Sequence, residues 1–534
     1  MRTKDASDIQ KPVRSCCDPL AGAAAGPRLE AVIEIGATGL RLLIAEISAD
    51  GSWAVIDRAE RALALGRDVF TIGSISRDSL LQCLAILNRY REILRSWAVE
   101  DAHVTVVATS AIREAKNRDS ILDRLSVKTG FRVRVIDGIE ENRLMYLVVN
   151  RALRGAPGAL GKINSIIMDV GGGSTEIMLM QKGKMVAAHS FRMGTVIIEQ
   201  QVKAMMGSAK DMRRFLAEYI RTTGETLNKE LRLDRVHQLI AISSDARLAA
   251  RSIGTPVTDL LSVIPRHEFI SFVQRVTSYT PEECVRNFRI SYGEAESLTP
   301  GLLAYQYFLE MTEAETVLVP FLTLREGVII SCVSGPDPLV NEEFYTQVVA
   351  SAANLGKRYH VDEDHSRYVT RIALGLYNCL EAELGLDRHA RLILEVAAIL
   401  HDVGSFIRPA DHHLHSQYII AHSDIFGLNK DDMNILSNVV RYHRAEKPNP
   451  GHHAYATLAR QDRTMVLKLS ALLRIADALD RGHSQHIEDF DIELSKDTLY
   501  LRARGTHDVT LERMALEEKA DLFEEIFGYR LVLN

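Results

Sequence analysis

The 534-residue chain has no apolar run approaching the roughly 18 residues of a transmembrane helix, so its sequence predicts no spanning segment. Its start, Met1-Arg-Thr-Lys-Asp-Ala-Ser-Asp8, mixes both charge signs and leads into Lys11-Pro12, which is a poor secretory signal. Cysteine is scarce and carries no metal-ligand spacing: Cys16, Cys17, Cys83, Cys284, Cys332 and Cys379 are scattered. Only Cys16 and Cys17 are close, and adjacent cysteines rarely bond to each other, so a reducing, cytoplasmic setting is expected. There is no excess of positive charge either. A net charge of −6 gives no global attraction to nucleic acid or an anionic membrane, and a polyanionic substrate would need a local basic cleft. What remains is an ordinary soluble composition, 46% hydrophobic and 25% charged, long enough for three or four domains.

The most informative stretch is Ile166-Ile-Met-Asp-Val-Gly-Gly-Gly-Ser-Thr-Glu-Ile-Met-Leu-Met180. It reads as an apolar strand, an acid, a three-glycine turn with hydroxyls, a second acid and another apolar strand. Without a Cβ in the way, successive backbone N–H groups in such a turn can form an anion nest around phosphate. Asp169 at the strand end is suited to a divalent cation, and Glu176 to orienting a water. A weaker copy lies earlier, Val32-Ile-Glu-Ile-Gly-Ala-Thr-Gly-Leu-Arg-Leu-Leu-Ile-Ala-Glu-Ile47. Glu34 falls where Asp169 falls, and Gly36 where Gly171 falls. The pair predicts a duplicated α/β domain whose two turns cradle a phosphate chain from opposite sides.

Between and after these turns the pattern alternates. Trp53-Ala-Val-Ile-Asp-Arg58 reads as a third strand, and Ser79 to Trp97 has helical apolar spacing with Ser76 or Asp78 as N-cap. His103 to Thr109 reads as a buried strand, with a helix opening at Ser110-Ala-Ile-Arg-Glu-Ala-Lys-Asn-Arg118. Phe131 to Ile136 alternates as a strand and runs into a helix at Asp137-Gly-Ile-Glu-Glu-Asn-Arg143. The expected domains are a disordered tail at 1–27, α/β domains at 28–153 and 154–336, a histidine-rich helical domain at 337–484, and a small α/β cap at 485–534.

Taken in order, Ala108 to Asn117, Asp137 to Arg143, Asp169 to Glu176, Arg192-Met-Gly194 and Leu324-Arg-Glu-Gly327 resemble the motifs of the exopolyphosphatase/guanosine pentaphosphate phosphohydrolase family. The resemblance implies two actin-like (ASKHA, RNase H-like) domains with the active site between them, and a homodimer. It also implies Mg²⁺- or Mn²⁺-dependent release of terminal phosphate from inorganic polyphosphate, or of the 5′ γ-phosphate from guanosine pentaphosphate. By this resemblance Glu141 is the general base on the attacking water, with Glu140 as the alternative, and Arg113 contacts phosphate. Gly36, Thr38, Arg41, Gly171, Gly172, Gly173, Ser174 and Thr175 would hold phosphate. Asp169 and Glu34 would hold the metal, and Glu176 would place water or metal. The chain departs from the family pattern at Glu34-Ile-Gly-Ala-Thr-Gly39, at Asp245 where a phosphate donor is expected, and at Glu294-Ala-Glu296. A carboxylate at 245 is expected to repel bound phosphate unless a metal intervenes.

In the helical region, His365, His401-Asp402 and Asp477 resemble the HD phosphohydrolase superfamily, in which such residues bind a divalent metal. His412, His413, His415, His422 and His443 lie nearby in sequence. A second metal site, a hydrolytic centre there, or a phosphate-sensing role for a catalytically weak cleft are therefore the alternatives to an exopolyphosphatase.

Overall fold

The alternation of Val32, Ile33, Glu34 and Ile35 sends successive side chains to opposite faces of a strand, and both faces carry apolar residues. Such a strand belongs inside a sheet covered on both sides. The computed structural model describes residues 27–156, 160–161, 163–204, 209–334, 338–444, 446–485, 487, 489–504 and 509–534. The expected tail, with Cys16 and Cys17, lies almost wholly outside these residues. The first sheet contains β1 (Arg28–Ile35), β2 (Gly39–Ile47), β3 (Trp53–Ala62), β4 (Val104–Ala108) and β5 (Val133–Val135), in the order β3-β2-β1-β4-β5. Ile33, Ile35, Leu42 and Val106 pack on one face with Leu80, Leu87 and Leu94 of the helix Arg77–Ser96. Val32, Leu43 and Val107 pack on the other face with Leu144, Val328 and Ile329. Ser76 caps the first of these helices, its hydroxyl accepting from the Ser79 N–H at 3.2 Å.

The second sheet contains β6 (Ser165–Val170), β7 (Thr175–Gln181), β8 (Lys184–Phe191), β9 (Gln238–Ala241), β10 (Thr255–Thr258), β11 (Leu261–Pro265) and β12 (Thr316–Pro320). Its order is β10-β11-β12-β9-β6-β7-β8. Reading β8-β7-β6-β9-β12 against β3-β2-β1-β4-β5 shows the same strand sequence twice, with β11 and β10 added at one edge. The turns agree in detail. The Gly36 N–H donates to the Gly39 carbonyl at 2.9 Å, and the Gly171 N–H donates to the Ser174 carbonyl at 2.9 Å. The duplication read from two glycine turns is therefore present in topology and in hydrogen bonding.

One expected helix is broken. The segment opening at Ser110 is helical only to Glu114; Ala115 is extended, and the Lys116 N–H donates to the Gly73 carbonyl at 2.9 Å. A separate helix, Arg118–Thr129, follows. This tertiary hydrogen bond overrides the local helical pattern.

The chain forms two compact units. The first comprises the described residues up to Ile177, with Ser190–Asn228 and Arg232–Asn341. The second comprises Met178–His189, Lys229–Leu231 and Glu342–Asn534. In the second, helices including Glu363–Cys379, Arg388–Leu400, His412–Ala421, Lys430–Arg441 and Arg460–Ala478 surround a buried histidine cluster. A three-stranded sheet, β13 (Asp489–Ser495), β14 (Thr498–Arg504) and β15 (Arg530–Leu533), forms the small α/β cap with Thr510–Lys519 and Asp521–Phe527. No helix among the described residues is long and apolar enough to cross a membrane.

Candidate active site

Parallel strands β1, β4, β6, β9 and β12 carry their loops toward one cavity of about 470 Å³ within the first unit. Clefts outside the carboxyl ends of such strands are where open α/β sheets bind ligands. Glu34, Gly36, Thr38 and Arg41 line one side, and Asp169, Gly171, Gly172, Ser174 and Glu176 the other. Gly194 explains why Arg192-Met-Gly194 accompanies the glycine turn: a Cβ there would lie 2.2 Å from the Gly172 oxygen and 2.3 Å from the Gly173 nitrogen. The helix that follows is bonded to the turn, with the Thr195 and Val196 N–H groups donating to Gly171 and Gly172 carbonyls at 2.9 and 3.0 Å. Thr175 also serves the turn, its hydroxyl donating to the Met193 carbonyl.

Glu141 enters the cavity from the first turn of the helix Gly138–Leu153, which Asp137 caps by accepting from the Glu140 N–H at 2.8 Å. The two neighbouring glutamates have different surroundings. Glu140 is paired with Arg143 at 2.8 Å and Arg134 at 3.4 Å, and does not line the cavity. Glu141 is 7% exposed, and its Oε1 accepts from Arg113 Nη1 at 2.5 Å. The same Arg113 nitrogen donates to the Ile136 carbonyl at 2.7 Å. Arg113 thus holds Glu141 in place in this structure.

Burial pushes the Glu141 carboxyl up to about 7, against the pull of Arg113 and with help from Asp169 and Glu34. Burial likewise raises Asp169 to about 6, opposed by Arg247 and assisted by Glu34. Glu176, 1% exposed and accepting from the Ser190 hydroxyl at 3.0 Å, is raised well above the carboxylate range by burial and by Glu141. Burial first, and repulsion between these acids second, favours their protonated forms, which a divalent cation would oppose. Hard-oxygen donors suit a divalent cation, but among the described residues the groupings of ligand atoms close enough to hold one lie in the second unit and not in this cavity. Glu34 also lies 3.6 Å from Arg41 and 3.7 Å from Arg325.

Several cationic lining groups escaped the sequence reading: Arg58, Arg247, Arg251 and Arg325 join Arg41 around the cavity. Arg325 sits inside the quoted Leu324-Arg-Glu-Gly327 motif, and Arg247 ends the segment that contains Asp245. Arg58 gave no local signal; it reaches its partner Glu326 across 268 positions, at 2.6 Å. Asp245 lines the cavity as well, in the first turn of the helix Ser244–Ile253. Gly301 makes room for it, since a Cβ at 301 would lie 2.1 Å from Asp245 Oδ2. Burial pushes the Asp245 carboxyl up to about 8, against the pull of Arg247. Near neutral pH it is largely protonated, so the repulsion expected from its sequence position is weakened and its O–H can donate.

The second unit brings His365, His401, Asp402 and Asp477 together. His365 Nε2 lies 3.1 Å from His401 Nε2, 3.6 Å from Asp477 Oδ1 and 3.9 Å from Asp402 Oδ2. Of the other histidines flagged by sequence, His412 and His443 join this cluster, whereas His422 is exposed and its Nδ1 lies 2.8 Å from the Tyr418 carbonyl.

The model of the Ppx/GppA phosphatase family matches residues 43–334, and its domain III model matches residues 349–525. A guanosine-5′-triphosphate,3′-diphosphate pyrophosphatase of Aliivibrio fischeri is 23% identical over 508 residues, covering 94% of this chain and 97% of its own. The protein of that name from Photobacterium profundum is 22% identical over 485 residues, covering 89% of this chain and 91% of its own. Among solved structures, an exopolyphosphatase from Cytophaga hutchinsonii aligns with a TM-score of 0.52 at 23% identity, over 58% of this chain and 98% of that one. The fold is the expected one: two actin-like α/β halves, a helical region and a small α/β cap.

Proposed function

Because the chain belongs to the Ppx/GppA phosphatase family, we propose that its cleft hydrolyses a terminal phosphoanhydride, with Glu141 as the general base. The observation that carries this reading is the buried Glu141, raised to about 7 and aimed into a cavity bordered by both glycine turns. A base near neutrality is matched to taking a proton from water at physiological pH. The Gly172 and Ser174 backbone N–H groups, the Thr38 and Ser174 hydroxyls and the guanidinium of Arg41 grip the phosphate chain, while the Gly36 and Gly171 N–H groups and the Thr175 hydroxyl are spent within the turns and Gly173 does not line the cavity. Arg113, expected to contact phosphate, is not among the residues lining the cavity and acts by positioning Glu141. Asp169 and Glu34 would hold Mg²⁺, which when bound neutralises phosphate charge. Glu176, buried beside Glu141 and lining the cavity, helps place the water or the metal. Attack by water forms one P–O bond and breaks the anhydride P–O bond, releasing inorganic phosphate.

For substrate we favour inorganic polyphosphate. Five arginines line the cavity beside seven carboxylates, at least one of which (Asp245) burial pushes up to about 8, and Phe321 is the single aromatic side chain among its described lining residues. That suits a repeating polyanion better than a stacked base. Guanosine pentaphosphate is the second reading, supported by relatives of that named activity that align along nearly the whole chain. Comparing kcat/KM for long-chain polyphosphate and guanosine pentaphosphate tests the choice. A higher value for polyphosphate supports the first reading, and a higher value for the nucleotide replaces it with the second.

A further inference from the structure

None of the residues of the buried histidine cluster in the second unit lines the cavity of the first, and the hydrogen bonding of its Nδ1 atoms follows one pattern. His401 Nδ1 lies 2.8 Å from the Ala398 carbonyl, His443 Nδ1 2.6 Å from the Val440 carbonyl, and His412 Nδ1 3.0 Å from the Pro409 carbonyl. His365 Nδ1 lies 2.8 Å from Asp480 Oδ2. Carbonyl and carboxylate oxygens only accept, so each Nδ1 carries the proton and each neutral ring presents a lone pair at Nε2. Arg444 Nη1, 3.3 Å from His412 Nδ1, is the weaker contact there. This is the outer-shell arrangement that fixes the tautomer of metal-ligating histidines.

The four Nε2 atoms meet in two pairs. His365 and His401 are 3.1 Å apart at Nε2, and so are His412 and His443. Two lone pairs at that distance repel unless a proton or a metal ion lies between them. Each pair has a carboxylate oxygen completing a triangle. Asp477 Oδ1 is 3.6 Å from both His365 and His401, while its Oδ2 is held by the Lys519 ammonium. Asp402 Oδ1 is 3.0 Å from His412 and 3.7 Å from His443. Ions bonded to nitrogen and oxygen at about 2.0–2.2 Å hold neighbouring ligands about 3.0–3.5 Å apart, close to these edges. Asp402 also reaches the first pair, its Oδ1 3.7 Å from His401 and its Oδ2 3.9 Å from His365.

We propose that the second unit binds two divalent transition-metal ions, one held by His365, His401 and Asp477, the other by His412 and His443, with Asp402 bridging them. The HD resemblance implied one ion on four residues; the second histidine pair adds a second ion. The mixed nitrogen and oxygen donors select Mn²⁺, Fe²⁺, Co²⁺ or Zn²⁺ over Mg²⁺. His483, stacked on His365 at 3.6 Å between ring centroids and partly exposed, borders the site beside Asp402.

The test uses the full chain carrying Asp169→Asn, which removes the cleft ion from the count, loaded with Mn²⁺ and freed of weakly bound metal. Elemental analysis is expected to give two Mn²⁺ per chain, and low-temperature electron paramagnetic resonance an exchange-coupled pair. This spectrum needs no substitution in the cluster itself. His412→Gln is expected to leave one ion with an uncoupled signal. One ion per chain unaffected by His412→Gln, two uncoupled ions, or no retained ion would each overturn the proposal.

Discussion

Glu141 owes its character to three opposing influences: burial and the neighbouring acids raise its carboxyl, and Arg113 lowers it. A general base works only when deprotonated, so the rate is expected to rise with pH through about 7 and to level off above. Removing Arg113 removes the lowering influence, so Arg113→Ala is expected to move this limb to higher pH; an unmoved limb would detach it from Glu141. Asp245 gives an independent test on stability. Between the ordinary carboxylate value and about 8, the folded chain binds a proton that the unfolded chain has released. Stability therefore falls as pH rises through that window, on the order of 1 kcal/mol per pH unit. Asp245→Asn is expected to flatten this slope and to raise the melting temperature most near the alkaline end. A thermal scan across pH that shows parallel curves for the two proteins would refute it.

At the scale of elements, the two strand–turn–strand units were legible because apolar strands flank glycines in both, with an acid at the same place. The strands Trp53–Ala62, Val104–Ala108 and Val133–Val135 and the helix Gly138–Leu153 followed from apolar spacing and the Asp137 cap. What sequence could not show depends on partners far apart along the chain. Lys116 leaves its helix for Gly73, Glu34 lies near Arg325, and Asp245 is buried in space left by Gly301. The His412 and His443 pairing was equally hidden, because only helix packing brings their Nε2 atoms to 3.1 Å. Gly194 likewise depends on a distant partner, the glycine turn, whose backbone leaves no room for a Cβ at 194. Gly194→Ala forces backbone against backbone, a strain of about 1–3 kcal/mol. Calorimetry is expected to show a lower melting temperature, and kinetics a raised KM for the phosphate substrate; wild-type values of both would mean the turn tolerates displacement.

At the scale of the whole molecule, the chain gathers two chemically distinct groups of side chains. The cleft of the first unit is built from hard oxygens, backbone N–H groups and arginines, and the second unit concentrates imidazoles and carboxylates. The central claim is that phosphoanhydride hydrolysis belongs to the cleft. The most direct test is phosphate release from long-chain polyphosphate and from guanosine pentaphosphate by wild type, Glu141→Gln and Asp402→Ala, each checked for folding. The account predicts a fall of about 10²–10⁴-fold in kcat for Glu141→Gln and near-wild-type turnover for Asp402→Ala. Full turnover in Glu141→Gln together with its loss in Asp402→Ala would contradict it and move the chemistry to the histidine centre.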